Sequence, residues 1–259
     1  MLDRFPPHWI GFLSLVHREV ARFMAYKSMT VFPPILTTIL YIVVFGFSLG
    51  GRIQEIHTFS YIEFIIPGLV LMSVIMSAFN HSSGSIFMSK YDYSIQDVLL
   101  SPLSYFQMVM AFTLGGIIRG VLVGLLVLAS GCILAHLTPH SISFTLLFLI
   151  LTAQIFSSFG IWVGLWSERW DQQAFFMNFF LMPMIFLGGV FYAVNMLPPV
   201  WQFVNHLNPV YYMVSGIRYG MLNFQEVSPW TSLWIVLLSG FTLMSITIVL
   251  FRMGYKLKS

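Results

Sequence analysis

Six apolar runs divide the chain, at about residues 31–49, 62–80, 106–132, 143–166, 174–194 and 232–252. Each is close to the roughly 20 residues that an α-helix needs to cross a bilayer, so the pattern predicts six transmembrane helices. Ahead of them, Trp9 to Lys27 has the helical period. Trp9, Phe12, Leu13, Val16, Val20 and Phe23 fall on one stripe, and Ser14, Arg18 and Arg22 on the opposite one. An aromatic face opposed by arginines suits a helix lying in the plane of the membrane interface; packing on the protein itself is the alternative. The expectation is an all-α integral membrane protein. Residues 1–30 carry the amphipathic helix, 31–252 form a six-helix transmembrane unit, and 253–259 form a basic tail.

Composition sharpens the class. Of 259 residues, 58% are hydrophobic and 8% charged, and the mean hydropathy is +0.86. Soluble domains carry about 25% charged residues, so this chain has too few charges to cover its own surface in water. No signal peptide is expected, because charges run up to the first long apolar run at Val31. The single cysteine, Cys132, lies in an apolar run, which excludes an intramolecular disulfide and a cysteine-based metal cluster. A net charge of +3 is no nucleic-acid footprint, and its placement matters more than its size.

Lysine and arginine set the orientation. Arg4, Arg18, Arg22, Lys27, Lys90, Arg169, Arg252, Lys256 and Lys258 fall on one side of the six-span topology, against Arg52 and Arg218 on the other. Both termini are therefore expected in the cytoplasm. The loop 81–105 is then the longest cytoplasmic connection. Within it Ser94 and Asp97 have capping-box spacing, Ile95, Val98 and Leu99 make a small apolar face, and Ser101-Pro102 ends the helix. That face either docks a partner or folds onto the bundle.

Arg119 stands 13 residues from each end of the third run, on the order of 20 Å from either edge. Such an arginine must face protein or water. Bonding to backbone carbonyls or to an acid such as Glu63 is one reading, and lining the route of an anionic cargo is the other. Gly116, Gly120 and Gly124 beside it, and Gly160 and Gly164 in the fourth run, form small-residue stripes that let helices approach closely. The short charged turn Trp166–Asp171 anchors helix ends at the interface or touches a partner. Pro183 and Gly188-Gly189 in the fifth run fit a gate or a fixed kink.

The densest pattern is Leu187 to Gly220, where an apolar run turns aromatic and breaks at Pro198-Pro199 and again at Asn208-Pro209. Proline corners at membrane depth survive only where protein or a wet cavity receives the released backbone groups. We expect two short re-entrant helices at the outer face, within 195–231, joined at Asn208-Pro209. Gly188, Gly189, Phe191 and Tyr192, then Pro198 and Pro199, then Asn208 and Pro209 with Tyr211 and Tyr212, then Gly216, Arg218 and Gly220, resemble the signature of the ABC type-2 exporter permeases. Asp97 to Ser104 is similar to the segment of that family on which the ATPase docks.

The resemblance implies an N-terminal interfacial helix, a second copy of the permease and two copies of a separate ABC ATPase, in a bacterial inner membrane. It also implies export of glycans, lipids or drugs, with ATP and magnesium bound by the ATPase and no cofactor bound by this chain. An outer gate would lie at Gly188–Arg218. The sequence itself has no phosphate-binding loop and no His-Glu-x-x-His. Gly46-Phe47-Ser48-Leu49-Gly50 matches a nucleophile elbow formally, but it closes a membrane helix and lacks the strand that motif requires. His136 and His140 are separated by Pro139 and do not share a helix face. A secondary transporter or channel built around Arg119 is the alternative, and a membrane-embedded lipid-modifying enzyme comes after it.

Overall fold

The computed structural model describes residues 7–47 and 59–257, with side chains from residue 9 to 45 and from 59 onward. Arg4, Arg52, His57, Lys258, the side chain of His8 and the Ser48–Gly50 end of the elbow-like motif lie outside the described residues. All regular structure among the described residues is helical. Helix α1 (Pro7–Ala25) leads into α2 (Lys27–Tyr41), which continues as a wider π-helical turn over Ile42–Phe47. Then come α3 (Tyr61–Tyr91), α4 (Ser94–Leu100), α5 (Tyr105–Ala135) and α6 (Ile142–Trp166). A segmented rod follows: α7 (Trp170–Phe176), a π turn (Met177–Leu181) and α8 (Met182–Leu187). A 3-10 turn (Val194–Met196), α9 (Pro199–His206), α10 (Pro209–Leu222) and α11 (Pro229–Arg252) complete the order.

Among the described residues five helices are long and apolar enough to cross a membrane: α2 with its π turn, α3, α5, α6 and α11. The fifth predicted run appears as the α7–α8 rod. Pro183 has no N–H to donate and its ring crowds the carbonyl four residues back, which is where the rod widens into its π turn.

Helix α3 is the central post. Its most apolar window is 78% buried within the protein, against 17% for α2 and α11. Flanked by α5 and α6, it carries the main core through Phe64, Leu71, Ile75 and Phe79. Exposed apolar side chains such as Phe32 on α2 and Phe241 on α11 face outward, where a lipid solvent rather than water accounts for them.

The predicted end of the second span at residue 80 is corrected: α3 runs to Tyr91, so 81–91 is helix and not loop. At 31 residues it is about 46 Å long, well beyond the hydrocarbon thickness. The stretch His81-Ser82-Ser83-Gly84-Ser85 reads as polar in sequence, yet His81, Ser82, Ser83 and Ser85 are buried. The Ser82 and Ser85 hydroxyls find partners inside the bundle, Ser82 Oγ with Ser157 Oγ at 2.6 Å and Ser85 Oγ with Glu19 of α1.

The glycine stripes work at that seam. A Cβ at Gly116 would collide with the Ser82 and Ser157 hydroxyls, one at Gly160 would stand 2.7 Å from the Phe79 carbonyl, and one at Gly164 2.7 Å from that of Ser83. Small residues here let α3, α5 and α6 meet almost backbone to backbone.

Candidate functional site

Most of the residues that the sequence singled out sit at the two ends of the bundle. At one end α4 crosses beneath α3 and α5. The chain turns out of α3 through Tyr93, which takes the left-handed conformation at φ 60°. The expected capping box is not formed. Ser94 is already the first helical residue, and Asp92 Oδ1 accepts its N–H at 3.0 Å instead. Capping boxes form elsewhere, as with Ser60 and Glu63 ahead of α3 and Ser104 and Gln107 ahead of α5. The helix stops at Ser101, whose extended backbone precedes Pro102 and whose hydroxyl donates to the Val98 carbonyl at 2.6 Å.

Ile95 and Val98 are buried in a second apolar cluster with Leu15 of α1, Met108 and Phe112 of α5, and Phe251 and Leu257 at the end of the chain; Leu99 packs against it. The apolar face proposed for docking is therefore turned inward, because the ends of α1, α5 and α11 offer it a dry surface. What α4 turns outward is Gln96, Asp97 and Leu100, the last 85% exposed, with Tyr91 and Tyr93 just ahead of it.

The charges gather at this end. Lys90 Nζ donates to the carbonyls of Leu165 and Ser167 at 2.6 and 3.0 Å, closing the C-terminus of α6. Lys256 Nζ pairs with Glu168 at 2.8 Å, joining the tail to the α6–α7 turn. Its hydrogen bond and charge hold the exposed Glu168 carboxyl below the usual glutamate value, and Glu168 in turn raises Lys256.

Glu19 of α1 is the group that sequence reading missed. Its side chain is fully buried, on a stripe with Leu15 and Phe23 one turn to either side. Glu19 Oε2 accepts the Ser85 hydroxyl at 2.5 Å, and Arg18 Nη2 and Arg22 Nη2 stand 3.3 and 3.6 Å from Oε1. The expected apolar stripe is partly turned out instead, with Trp9 and Leu13 nearly half exposed. The signal available in the sequence was an acid flanked at four-residue spacing by Leu15 and Phe23.

Arg119 lies one helical turn beyond Gly115, whose Cβ position is occupied by Glu19 and His81. It is half-buried, and no acid pairs with it in the described structure. The suggested partner, Glu63, is instead engaged in the Ser60 capping box at the far end of α3. Since α1 packs on α5 at Gly115, the arginine sits one turn from that contact.

At the other end the aromatic stretch folds into a tight knot. Gly188 ends α8 against Val210, and Gly189 takes φ +78° so that the chain can double back. Tyr192 donates its hydroxyl to the Leu187 carbonyl at 3.2 Å, and Tyr61 of α3 donates to that of Phe191 at 3.1 Å. Pro198 caps α9 and Pro199 opens it, as the corner required.

Asn208 makes the next corner. Its Oδ1 accepts the Val210 N–H at 3.0 Å while its Nδ2 donates to the Met184 carbonyl at 2.7 Å. Pro209 is the first residue of α10, Tyr211 is buried, and Tyr212 donates back to the His206 carbonyl at 2.9 Å. Arg218 is not a loop charge. It is fully buried, donates to the Gly189 carbonyl at 2.6 Å and pairs with Glu226 at 3.4 Å.

Among the hollows in the described structure, two bear on a path through the bundle. One of about 250 Å³ lies between α2, α3 and α8, lined by Pro34, Thr38, Leu69, Met72, Met76 and Met182 among others. The other, about 350 Å³ and more polar, is lined at the knot by Asn195, Gln202, His206, Tyr211 and Glu226 with their neighbours. Among the described residues no group of three or more His, Cys, Asp or Glu could hold a metal ion. His136 ends α5 in the left-handed conformation, apart from His140.

Residues 11–222 match the family model described as ABC-2 type transporter. The chain is 39% identical over 220 residues to the inner membrane transport permease YadH of Escherichia coli K12, covering 85% of this chain and 86% of that one. It is 25% identical over 179 residues to nodulation protein J of Sinorhizobium fredii, covering 69% and 68%. It is also 23% identical over 216 residues to nodulation protein J of Neorhizobium galegae, covering 82% of each.

Proposed function

The chain belongs to the ABC-2 type transporter family, and from that premise we propose that it is the membrane subunit of an ABC exporter driven by a separate ATPase. It is a multi-pass inner-membrane transport permease and not an enzyme. In our reading the α7–α8 rod serves as the fifth of six spans, and both termini lie in the cytoplasm. The placement of charge supports this. Arg18, Arg22, Lys90, Arg169, Arg252 and Lys256 all belong to the α4 end, whereas Arg218, counted in sequence as a charge of the opposite side, is buried.

The observation that carries the proposal is the outward face of α4: Tyr93, Gln96, Asp97 and Leu100 stand exposed while Ile95 and Val98 root the helix in the bundle. A helix anchored on one side and bare on the other can receive a push and pass it on. ATP and magnesium belong to the ATPase, which would bind in two copies to a pair of permeases. Helices α9 and α10 would dip into the outer leaflet and close the far end of the path. The apolar hollow between α2, α3 and α8 suits an amphipathic cargo, whether glycan-linked, lipid or drug-like.

Co-purification from the native membrane in mild detergent tests the assignment. A soluble chain with a phosphate-binding loop should accompany the permease at one copy each, and Leu100→Asp should release it while the permease stays folded. A permease that is active in transport without any such partner would overturn the proposal.

A further inference from the structure

Glu19 occupies a position where an apolar side chain would be the simpler choice. Leu15 and Phe23, one turn before and after it, are both buried, and Leu15 belongs to the same apolar cluster as Ile95 and Val98 of α4. Replacing a buried charge cluster by well-packed apolar residues is often neutral or stabilising, so stability alone does not account for a carboxylate here. Buried ionic groups are best attested as devices that fix one register between packed elements.

The contacts of Glu19 have that form. Its Oε2 accepts from Ser85 of α3, and the same Ser85 Oγ accepts from Arg22 Nη1 at 2.7 Å, so acid and arginine of α1 grip one hydroxyl of α3 from both sides. His81 of α3 stands one turn away, its Nε2 3.6 Å from the carboxylate and its ring edge-on to Phe23. Gly115 of α5 leaves room for all of this, since a Cβ there would stand 2.7 Å from the Glu19 Cβ.

Toward its N-terminus α1 is joined to the α4 region, through Leu15 in the shared cluster and through Gly11, whose Cβ position lies 3.3 Å from the Leu103 side chain. The α4 region and the last third of α3 are thus connected twice, by the covalent chain through Tyr91–Tyr93 and by α1 through this polar clamp.

We propose that Glu19 is a positioning residue for coupling: through Ser85 it locks α1 to α3, so that displacement of α4 turns the central helix instead of letting α1 slide along it. This rests on the ATP-driven reading above. The clamp acts by fixing the register of two helices.

The test uses the permease–ATPase complex in lipid nanodiscs, with Cys132→Ser and a reporter cysteine at Asn195→Cys near the outer knot. Maleimide labelling of the reporter is timed with and without ATP and vanadate. The unmodified clamp should show a severalfold nucleotide-dependent change in rate. Glu19→Gln and Glu19→Met should abolish that change while the ATPase remains bound and hydrolysing, and Glu19→Asp should restore part of it.

Ser85→Ala removes the shared hydroxyl without touching α1, and should give the same uncoupling should Glu19→Met fail to fold. A full nucleotide-dependent change in Ser85→Ala and Glu19→Gln would overturn the inference while leaving the exporter assignment intact. A reporter indifferent to nucleotide in the unmodified complex, or a permease without an ATPase, would overturn both.

Discussion

The guanidinium carbon of Arg218 lies 3.8 Å from the ring centre of Phe64, with Nη2 hydrogen-bonded to the Gly189 carbonyl and Nη1 paired with Glu226. One side chain of α10 thereby joins the first turns of α3, the glycine corner after α8 and the loop before α11. The arginine fork and its flat face are both in use, which an ammonium could not reproduce.

Arg218→Met should accordingly lower stability by about 3 kcal/mol or more, because it leaves the Glu226 carboxylate without its cation in a nearly buried site. Arg218→Lys should recover only part of this. Thermal unfolding in detergent measures both, and in a Glu226→Gln background the cost of Arg218→Met should shrink. Equal costs in the two backgrounds would show that the pair is not coupled.

Asn208 serves two neighbours with two different atoms, so its substitutions should separate. Asn208→Ala should cost on the order of 2 kcal/mol, combining a lost helix cap with a lost side-chain hydrogen bond to the Met184 carbonyl, which keeps only the Gly188 N–H. Asn208→Asp keeps the acceptor for Val210 but cannot donate to Met184, and should fall between the two in melting temperature.

Gly116 and Gly84 make a matched pair. A Cβ at Gly116 meets two hydroxyls at once, whereas nothing lies within 4 Å of one at Gly84. Gly116→Ala should lower the melting temperature and yield of folded protein. Gly84→Ala, mid-helix in α3, should be neutral or stabilising by up to about 1 kcal/mol.

Stability should also depend on pH through Glu19. Burial alone pushes its carboxyl up, but His81, the Arg22 charge and the Ser85 hydroxyl outweigh that and hold it below the usual glutamate range. A carboxylate with a lowered folded value contributes stability above its unfolded value, lost as pH falls through the folded one. The melting temperature should thus fall as the pH drops below the ordinary glutamate range in the unmodified protein and be flatter there in Glu19→Gln. Parallel curves would contradict the clamp.

The sequence carried the long apolar helices, the glycine seams and the corners at Pro198-Pro199 and Asn208-Pro209, because hydrophobic period and proline geometry are local properties. It did not carry the continuation of α3 through His81–Ser85, since hydropathy cannot tell a serine in water from a serine bonded inside a bundle. For the same reason Arg218 counted as an outer-side charge and Glu19 went unnoticed, although both are fully buried. The α4 segment was legible as a helix, but its orientation was not. Ile95 and Val98 found their cover on α1, α5 and α11, elements distant in sequence, so that Leu100 and the tyrosines became the outward face.

The central claim is that this outward face meets a separate ATPase, and site-specific photo-crosslinking tests it most directly. A photoreactive residue at Leu100, exposed on α4, should give a membrane adduct with a phosphate-loop ATPase, and the same residue at Trp201, exposed on α9 at the opposite end, should give none. An ATPase adduct at Trp201 and not at Leu100, or no adduct at Leu100 in an actively transporting membrane, would contradict the account.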